Sequence, residues 1–255
     1  MTDPLSALVA LSQTLGVPER DAAILAEGNT SVRTEPGRML VKASGSSLGS
    51  STSADFVELR TSPLIDLVNS HGASDDEVSE AMRDAKLDPG APRPSMEALL
   101  HAVCMEETDA SVFAHTHPVA INALLCSDQA ELLVAGSLFP DQVVVLGRHN
   151  LLIPYADPGL ALARAVRDGL RRHVDQHARP PKVAYLTNHG IFALAADTAE
   201  AVAITDMSIK AARILSGALA VGRPRFLSAT EAERIDTRPD ELLRRKLLAQ
   251  RGDRA

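Results

Sequence analysis

His115 and His117 are separated by one residue in the stretch Ser111-Val112-Phe113-Ala114-His115-Thr116-His117, which has strand composition and is stopped by Pro118. Residues two apart in a strand project from the same face, so both imidazoles can reach one metal ion at about 2.0–2.1 Å. A catalytic zinc keeps three protein ligands and one open position for substrate or water, so a third ligand is needed. His189 is the candidate, in an Asn188-His189-Gly190 turn between the apolar runs Val183–Leu186 and Ile191–Leu194. With eight histidines in 255 residues, the spacing alone also admits an accidental pair. His71, His149, His173 and His177 lie in polar or charged contexts that suit solvated rings. Glu97 falls in the first turn of a helix, where the macrodipole favours the carboxylate. It is either an ordinary exposed first-turn residue or, facing a metal, a resting ligand and proton shuttle. His101, four residues on along the same flank, reads as a structural residue able to hydrogen-bond Glu97.

The elements that must position these groups follow from periodicity. Pro94 suits the first turn of a helix, and Met96, Leu99, Leu100 and Val103 then recur with helical spacing as one buried stripe. Val119 to Leu125 reads as helical, Asp157-Pro158 opens a helix to about Arg172, and Asp197-Thr198-Ala199-Glu200 caps another to about Leu219. Leu5, Leu8 and Val9, then Ala22, Ile24 and Leu25, suggest two short amphipathic helices around the Gly16-Val17-Pro18 break. Strands are expected at Met39–Lys42, Phe56–Leu59, Gln142–Leu146 and the two runs around His189. The polar stretch from Ser74 to Arg93 is expected to be exposed and poorly packed. Helices thus enclose a sheet, and no repeat of 20–50 residues points to a solenoid or propeller.

Two glycine turns supply backbone amides without bulky side chains. They are Gly28-Asn29-Thr30-Ser31 and the Ser44-Gly45 turn that opens the run to Ser51. Concave rows of N–H groups bind phosphate or carboxylate. Gly28 equally suits the residue that ends a helix, and the serine-rich run equally suits a surface loop.

Composition narrows the classes. A chain of 255 residues with 45% hydrophobic and 23% charged residues is expected to fold as one large domain. The net charge of −7 and the lack of a basic stripe exclude a nucleic-acid footprint. Cys104 and Cys126 lie in apolar contexts without CxxC spacing and are expected to be buried free thiols. No apolar run approaches a membrane span and no signal-peptide pattern opens the chain, so a cytoplasmic protein without membrane partners is expected.

Taken together, Gly28-Asn29-Thr30-Ser31-Val32-Arg33, Leu40-Val41-Lys42-Ala43-Ser44-Gly45, Arg93-Pro94-Ser95-Met96-Glu97, His115-Thr116-His117-Pro118 and Asn188-His189-Gly190 resemble the class II aldolase/adducin family in order and spacing. The resemblance implies an α/β fold, a three-layer α/β/α arrangement with a mixed, largely antiparallel central sheet, assembled as a homotetramer. It places the family domain at residues 1–220, with 221–255 as a charged C-terminal helical extension of the same domain. It implies that His115, His117 and His189 bind a divalent metal (Zn2+ first, Mn2+ or Co2+ otherwise) and that Glu97 is the acid/base carboxylate. It makes Asn29, Ser44, Gly45 and Ser95 candidates for holding the phosphate of a sugar-phosphate substrate. The implied activity is a metal-dependent aldolase that cleaves a ketose phosphate or related sugar through a metal-bound enediolate. A decarboxylase, 4-epimerase or dehydratase shares that logic, and an adducin-like interaction protein is the non-enzymatic alternative. Two departures stand out. Met96 replaces a serine of the fuculose-phosphate aldolases, and no tyrosine follows Tyr185 to serve as their C-terminal proton donor.

Overall fold

The computed structural model describes residues 3–240. Seven strands form one mixed sheet: β1 (Asn29–Glu35), β2 (Arg38–Lys42), β3 (Phe56–Arg60), β4 (Val112–Thr116), β5 (Leu151–Ile153), β6 (Val183–Leu186) and β7 (Gly190–Ala195). Their spatial order is β3-β2-β1-β4-β7-β6-β5. Every neighbouring pair is antiparallel except β5–β6. The sheet is therefore mixed and largely antiparallel, as expected.

Alternation along the strands builds the two outer layers. Phe113, Phe192 and Leu194 face α2 (Ser62–Asn69), α3 (Asp75–Asp84), α4 (Ala98–Glu107) and α7 (Leu160–His177) across one apolar cluster. Val112, Ala114, Ile191, Ala193 and Tyr185 face α1 (Pro4–Leu15), α5 (Val119–Leu125) and α8 (Thr198–Val221) across another. A smaller cluster joins α6 (Pro140–Leu146) to α9 (Ala229–Thr237) through Val143, Val144, Ala232 and Ile235. β4 lies in the middle of the sheet and is buried along its whole length. A strand flanked on both edges and covered on both faces is the most rigid place available for a pair of ligands.

Several sequence expectations are corrected. Residues 142–146 form the end of α6 rather than a strand, because Pro140 opens a helical turn and the valines pack between helices. No helix forms over Ala22–Leu25; a 3-10 turn at Pro18–Arg20 leads into an irregular loop in which Asp21 and Leu25 both have positive φ. Residues 74–93 are largely exposed, as expected, but not poorly packed throughout: Ser74 and Glu77 form a capping box at the start of α3, which buries Val78 and Met82. Pro94 does not open a helix. It bridges Ala43 in extended conformation, so α4 starts only at Ala98, with Glu97 as its N-cap and Met96 38% exposed outside it. α4 then buries every side chain from Ala98 to Met105, because the sheet, α2 and α7 surround it. The Asn29–Ser31 segment is the start of β1, and β5 was not expected at all. Cys104 is buried, whereas Cys126 is exposed. No described helix is long and apolar enough to cross a membrane. The expected helical extension over residues 221–255 lies, from residue 241 onward, outside the described residues.

Candidate metal centre

The Asn29↔His115 and His115↔Phe192 pairings put the start of β1, the end of β4 and the start of β7 at one end of the sheet. His115 is fully buried at the end of β4, and its Nδ1 donates to the Ile191 carbonyl at 2.9 Å. His117 follows the last residue of the strand; its backbone N–H donates to Ala22 O at 2.8 Å, which fixes its exit from the sheet. His189 occupies the β6–β7 turn, where Asn188 takes a φ of 56° and Asn122 Nδ2 donates to His189 O at 2.9 Å. The turn packs so tightly on β4 that a Cβ at Gly190 would lie 2.5 Å from Thr116 O and 2.7 Å from His117 Cδ2, so only glycine fits there. Gly28, with φ +72°, is similarly confined: its Cβ would lie 2.8 Å from His115 O.

The three imidazoles converge. Ring centroids are 4.7, 4.9 and 5.0 Å apart, with interplanar angles of 71°, 82° and 70°. One nitrogen from each ring lies within 4.8 Å of the other two. The Nε2 atoms of His115 and His117 are 2.8 Å apart. A carbonyl only accepts, so the His115 proton is on Nδ1 and Nε2 presents a lone pair; the Glu27 carboxylate, 3.3 Å from His117 Nδ1, imposes the same tautomer there. Two lone pairs at that separation need a shared positive charge, and imidazole nitrogens suit a borderline divalent ion. The donor set therefore fits a metal ion. Glu97 Oε1 lies 3.3 Å from His115 Nε2 and 3.1 Å from His189 Nε2, within the same cluster.

Glu97 is held from behind. Its Oε2 accepts from Asn29 Nδ2 at 2.6 Å, Asn29 Oδ1 accepts from His101 Nε2, and His101 Nδ1 accepts from the Ser31 hydroxyl at 2.6 Å. Each member of this chain has one consistent role, because the carboxylate can only accept and so orients the Asn29 amide. Burial pushes His101 down to about 3, helped by the charge of His115, so it stays neutral. With no ion bound, His115 also takes a proton on Nε2 and becomes charged; burial would raise the Glu97 carboxyl, but that charge and hydrogen bonds from His115, His189 and Asn29 outweigh it and hold the group well below the ordinary carboxylate range. Burial lowers His115 and Glu97 counteracts it, so that its net shift is upward. His117 is brought down to about 3 by burial and by His115 and His189.

Of the candidate phosphate residues, Asn29 and Ser95 lie against Glu97. Ser95 Oγ accepts from the Glu97 N–H at 3.3 Å and lies 3.4 Å from Asn29 Nδ2. Ser44 joins Ser95 through the Ala43–Pro94 bridge, with Ser44 N–H donating to Arg93 O at 2.9 Å. Gly45, with φ +90°, has no atom within 4 Å of where its Cβ would sit, so the turn faces open space. The Asn29 amide is committed to Glu97 and Ser95 rather than to that space.

Sequence reasoning set His101 aside and did not single out Glu27 or Lys42. His101 reaches Glu97 only through Asn29, a link that the four-residue spacing could not reveal. Lys42 is buried with its ammonium 3.2 Å from Ala43 O; burial lowers its pKa, while Asp55 and Glu97 pull it back up. A lysine closing an apolar strand was the available signal.

Residues 6–216 match the family described as Class II Aldolase and Adducin N-terminal domain. Among curated proteins, an uncharacterized oxidoreductase, YuxG, from Bacillus subtilis is 28% identical over 173 residues, covering 64% of this chain. The chain spans only 22% of that protein's length. The 3-oxo-tetronate 4-phosphate decarboxylase of Haemophilus influenzae is 25% identical over 221 residues, 86% of this chain and 90% of the relative. Among solved structures, an L-fuculose 1-phosphate aldolase superposes with a TM-score of 0.68 at 22% identity, covering 92% of this chain and 95% of its own.

Proposed function

Starting from the fact that this chain belongs to the class II aldolase and adducin family, we propose that it is a metal-dependent carbon–carbon lyase acting on a ketose phosphate or related sugar. Members of this superfamily are generally enzymes, and class II aldolases use a divalent metal. The observation that carries the proposal is the convergence of His115, His117 and His189 with Glu97 Oε1 inside hydrogen-bond range of two of them. A pure interaction module has no reason to place four such groups from separate elements around one point.

The ion, Zn2+ in the first instance, would supply a Lewis acid to adjacent carbonyl and hydroxyl oxygens of the substrate. His115, His117 and His189 would hold it. Glu97, kept as a carboxylate and aimed by Asn29, would take or return the proton at carbon. Ser44, Gly45 and Ser95 would receive the phosphate, with Asn29 contributing through its alignment of Ser95 and Glu97. The buried charge of Lys42 favours an anionic substrate on the same side. Assembly as a homotetramer, and a domain spanning 1–220 with 221–255 as its extension, belong to the same proposal.

A second reaction is favoured by one observation. The Tyr155 hydroxyl donates to Asp157, and Tyr185 is buried beside Ser208, so neither phenol bonds to Glu97 or the imidazoles. Decarboxylation of a 3-oxo acid phosphate releases carbon dioxide and needs one proton delivered to carbon, with no second group to take the proton of a hydroxyl that becomes an aldehyde, which suits a site with one carboxylate. Metal-loaded protein offered phosphorylated ketoses and 3-oxo acid phosphates would separate the two, with dihydroxyacetone phosphate marking aldol cleavage and carbon dioxide marking decarboxylation. Glu97→Gln should keep the metal and lose at least about a hundredfold in turnover. Full turnover in that variant would remove the proton role.

A further inference from the structure

The loop that leads into β1 is built against the metal centre from three sides. Its Ala22 carbonyl accepts from the His117 N–H at 2.8 Å, and its Asp21 carbonyl accepts from the Val119 N–H at 3.3 Å. At its far end Gly28 lies against the His115 carbonyl. Between these anchors the chain makes a turn closed by the Glu27 carboxylate, whose Oε1 accepts from the Ile24 N–H at 2.7 Å. The other oxygen, Oε2, lies 3.3 Å from His117 Nδ1. Leu25, in the same turn, has a φ of 51° and is 84% exposed, so a bulky side chain is held in the left-handed region with no packing to repay it. Strain of this kind persists only where the surroundings impose it, and it clusters at functional sites.

The three ligands also differ in what stands behind them. His115 donates Nδ1–H to a neutral main-chain carbonyl. His117 faces a carboxylate that the loop holds by its second oxygen. A carboxylate behind an imidazole fixes the tautomer, orients the ring and makes its outer nitrogen a better donor. We propose that Glu27 is a positioning residue of the metal centre: it accepts the Nδ1–H of His117 and thereby presents His117 Nε2 to the ion. The strained Ile24–Gly28 turn exists to place it there. This assignment rests on the metal reading above and deepens it.

The test uses the full chain loaded with Co2+, whose visible absorption reports coordination geometry, together with a chelator competition that gives its dissociation constant. Glu27→Ala should raise that constant about 10–100-fold and alter the visible spectrum, while the metal-free protein keeps its thermal midpoint. Glu27→Gln has one acceptor oxygen for two donors, Ile24 N–H and His117 Nδ1–H, and should fall between wild type and the Ala variant. His117→Ala should lose more affinity than either. A merely structural loop residue would lower the metal-free midpoint in both variants and leave the spectrum of the bound fraction unchanged; that result overturns the proposal. Wild-type uptake of Co2+ with unaltered affinity in Glu27→Ala overturns it alone, whereas a wild type that takes up no Co2+ overturns the metal reading with it.

Discussion

Two groups of three histidines lie in this molecule, and they are built in opposite ways. His115, His117 and His189 stand on strand ends and a tight turn, with rings 70–82° apart and Nε2 atoms directed at a common point. His149, His173 and His177 gather where the loop before β5 meets the end of α7. There His149 and His177 stack with centroids 4.0 Å apart at 6°, and His173 tilts by 60° against His177 at 4.6 Å. Parallel rings direct their nitrogens side by side rather than toward one another, and among the described residues only the first group meets the geometry of a metal site. The charge environments differ too. Glu97 and Glu27 face the first group, whereas Arg148 and Arg179 bear on the second, each paired with Asp236. Histidine count is equal in the two places. Ring direction and the sign of the neighbouring charge separate a cation site from a packed cluster.

The sharpest way to break that contrast is to remove one ring from each group. His115→Ala takes away a fully buried ligand, and a quarter share of a binding free energy of about 10–16 kcal/mol, about 2.5–4 kcal/mol, predicts a loss of affinity of roughly 70- to 900-fold. His177→Ala should leave one ion per chain with unchanged affinity. Metal analysis of the two purified variants decides it, and the reverse pattern would exchange the roles of the clusters.

A smaller effect is expected from the support behind Glu97. His101→Phe keeps an aromatic ring near Phe113 and Phe192 but strands Asn29 Oδ1 and the Ser31 hydroxyl without their partner. Buried groups left unpaired cost about 1–3 kcal/mol each. A loss of about 3 kcal/mol predicts a fall of roughly 6–12 °C in thermal midpoint for a chain of this size. A variant that melts with the wild type would show that the Ser31–His101–Asn29 chain does not tie Glu97 down.

Much of the first group was legible because strand chemistry is periodic. The spacing of His115 and His117, the stop at Pro118, and a turn between two apolar runs around His189 each have a local cause, and β4, β6 and β7 follow them closely. What was not legible depends on partners distant in sequence. Val143–Val145 have strand composition, yet α9 covers α6 and holds them in a helix. Glu27 and His117 are 90 residues apart, and no spacing rule joins them. His173 is a different case, since charged neighbours suggested a solvated ring but the structure buries it. Leu162, Val166, Leu170 and His173 recur at helical spacing along α7, so the periodicity held the information that local polarity concealed.

That buried ring supplies the mildest test of the contrast. His173 is 5% exposed and its Nε2 has no hydrogen-bond partner. Burial, then the neighbouring His177, His149 and Arg179, hold its pKa down at about 4, against an ordinary value of 6.5. The folded protein therefore binds fewer protons here than the unfolded chain between those values. The stability contribution is intact above about pH 6.5 and is lost as the pH falls toward 4, where the folded ring finally protonates. His173→Leu removes this titration and the orphaned nitrogen while keeping a side chain able to fill the site. The stability difference between variant and wild type should thus grow in favour of leucine from pH 7 to pH 4.5, by about 2 kcal/mol. Melting curves are to be recorded with metal removed from both proteins, because acid also releases an ion from imidazole ligands. A difference that stays constant across this range would mean that burial does not keep the rings of the second cluster neutral.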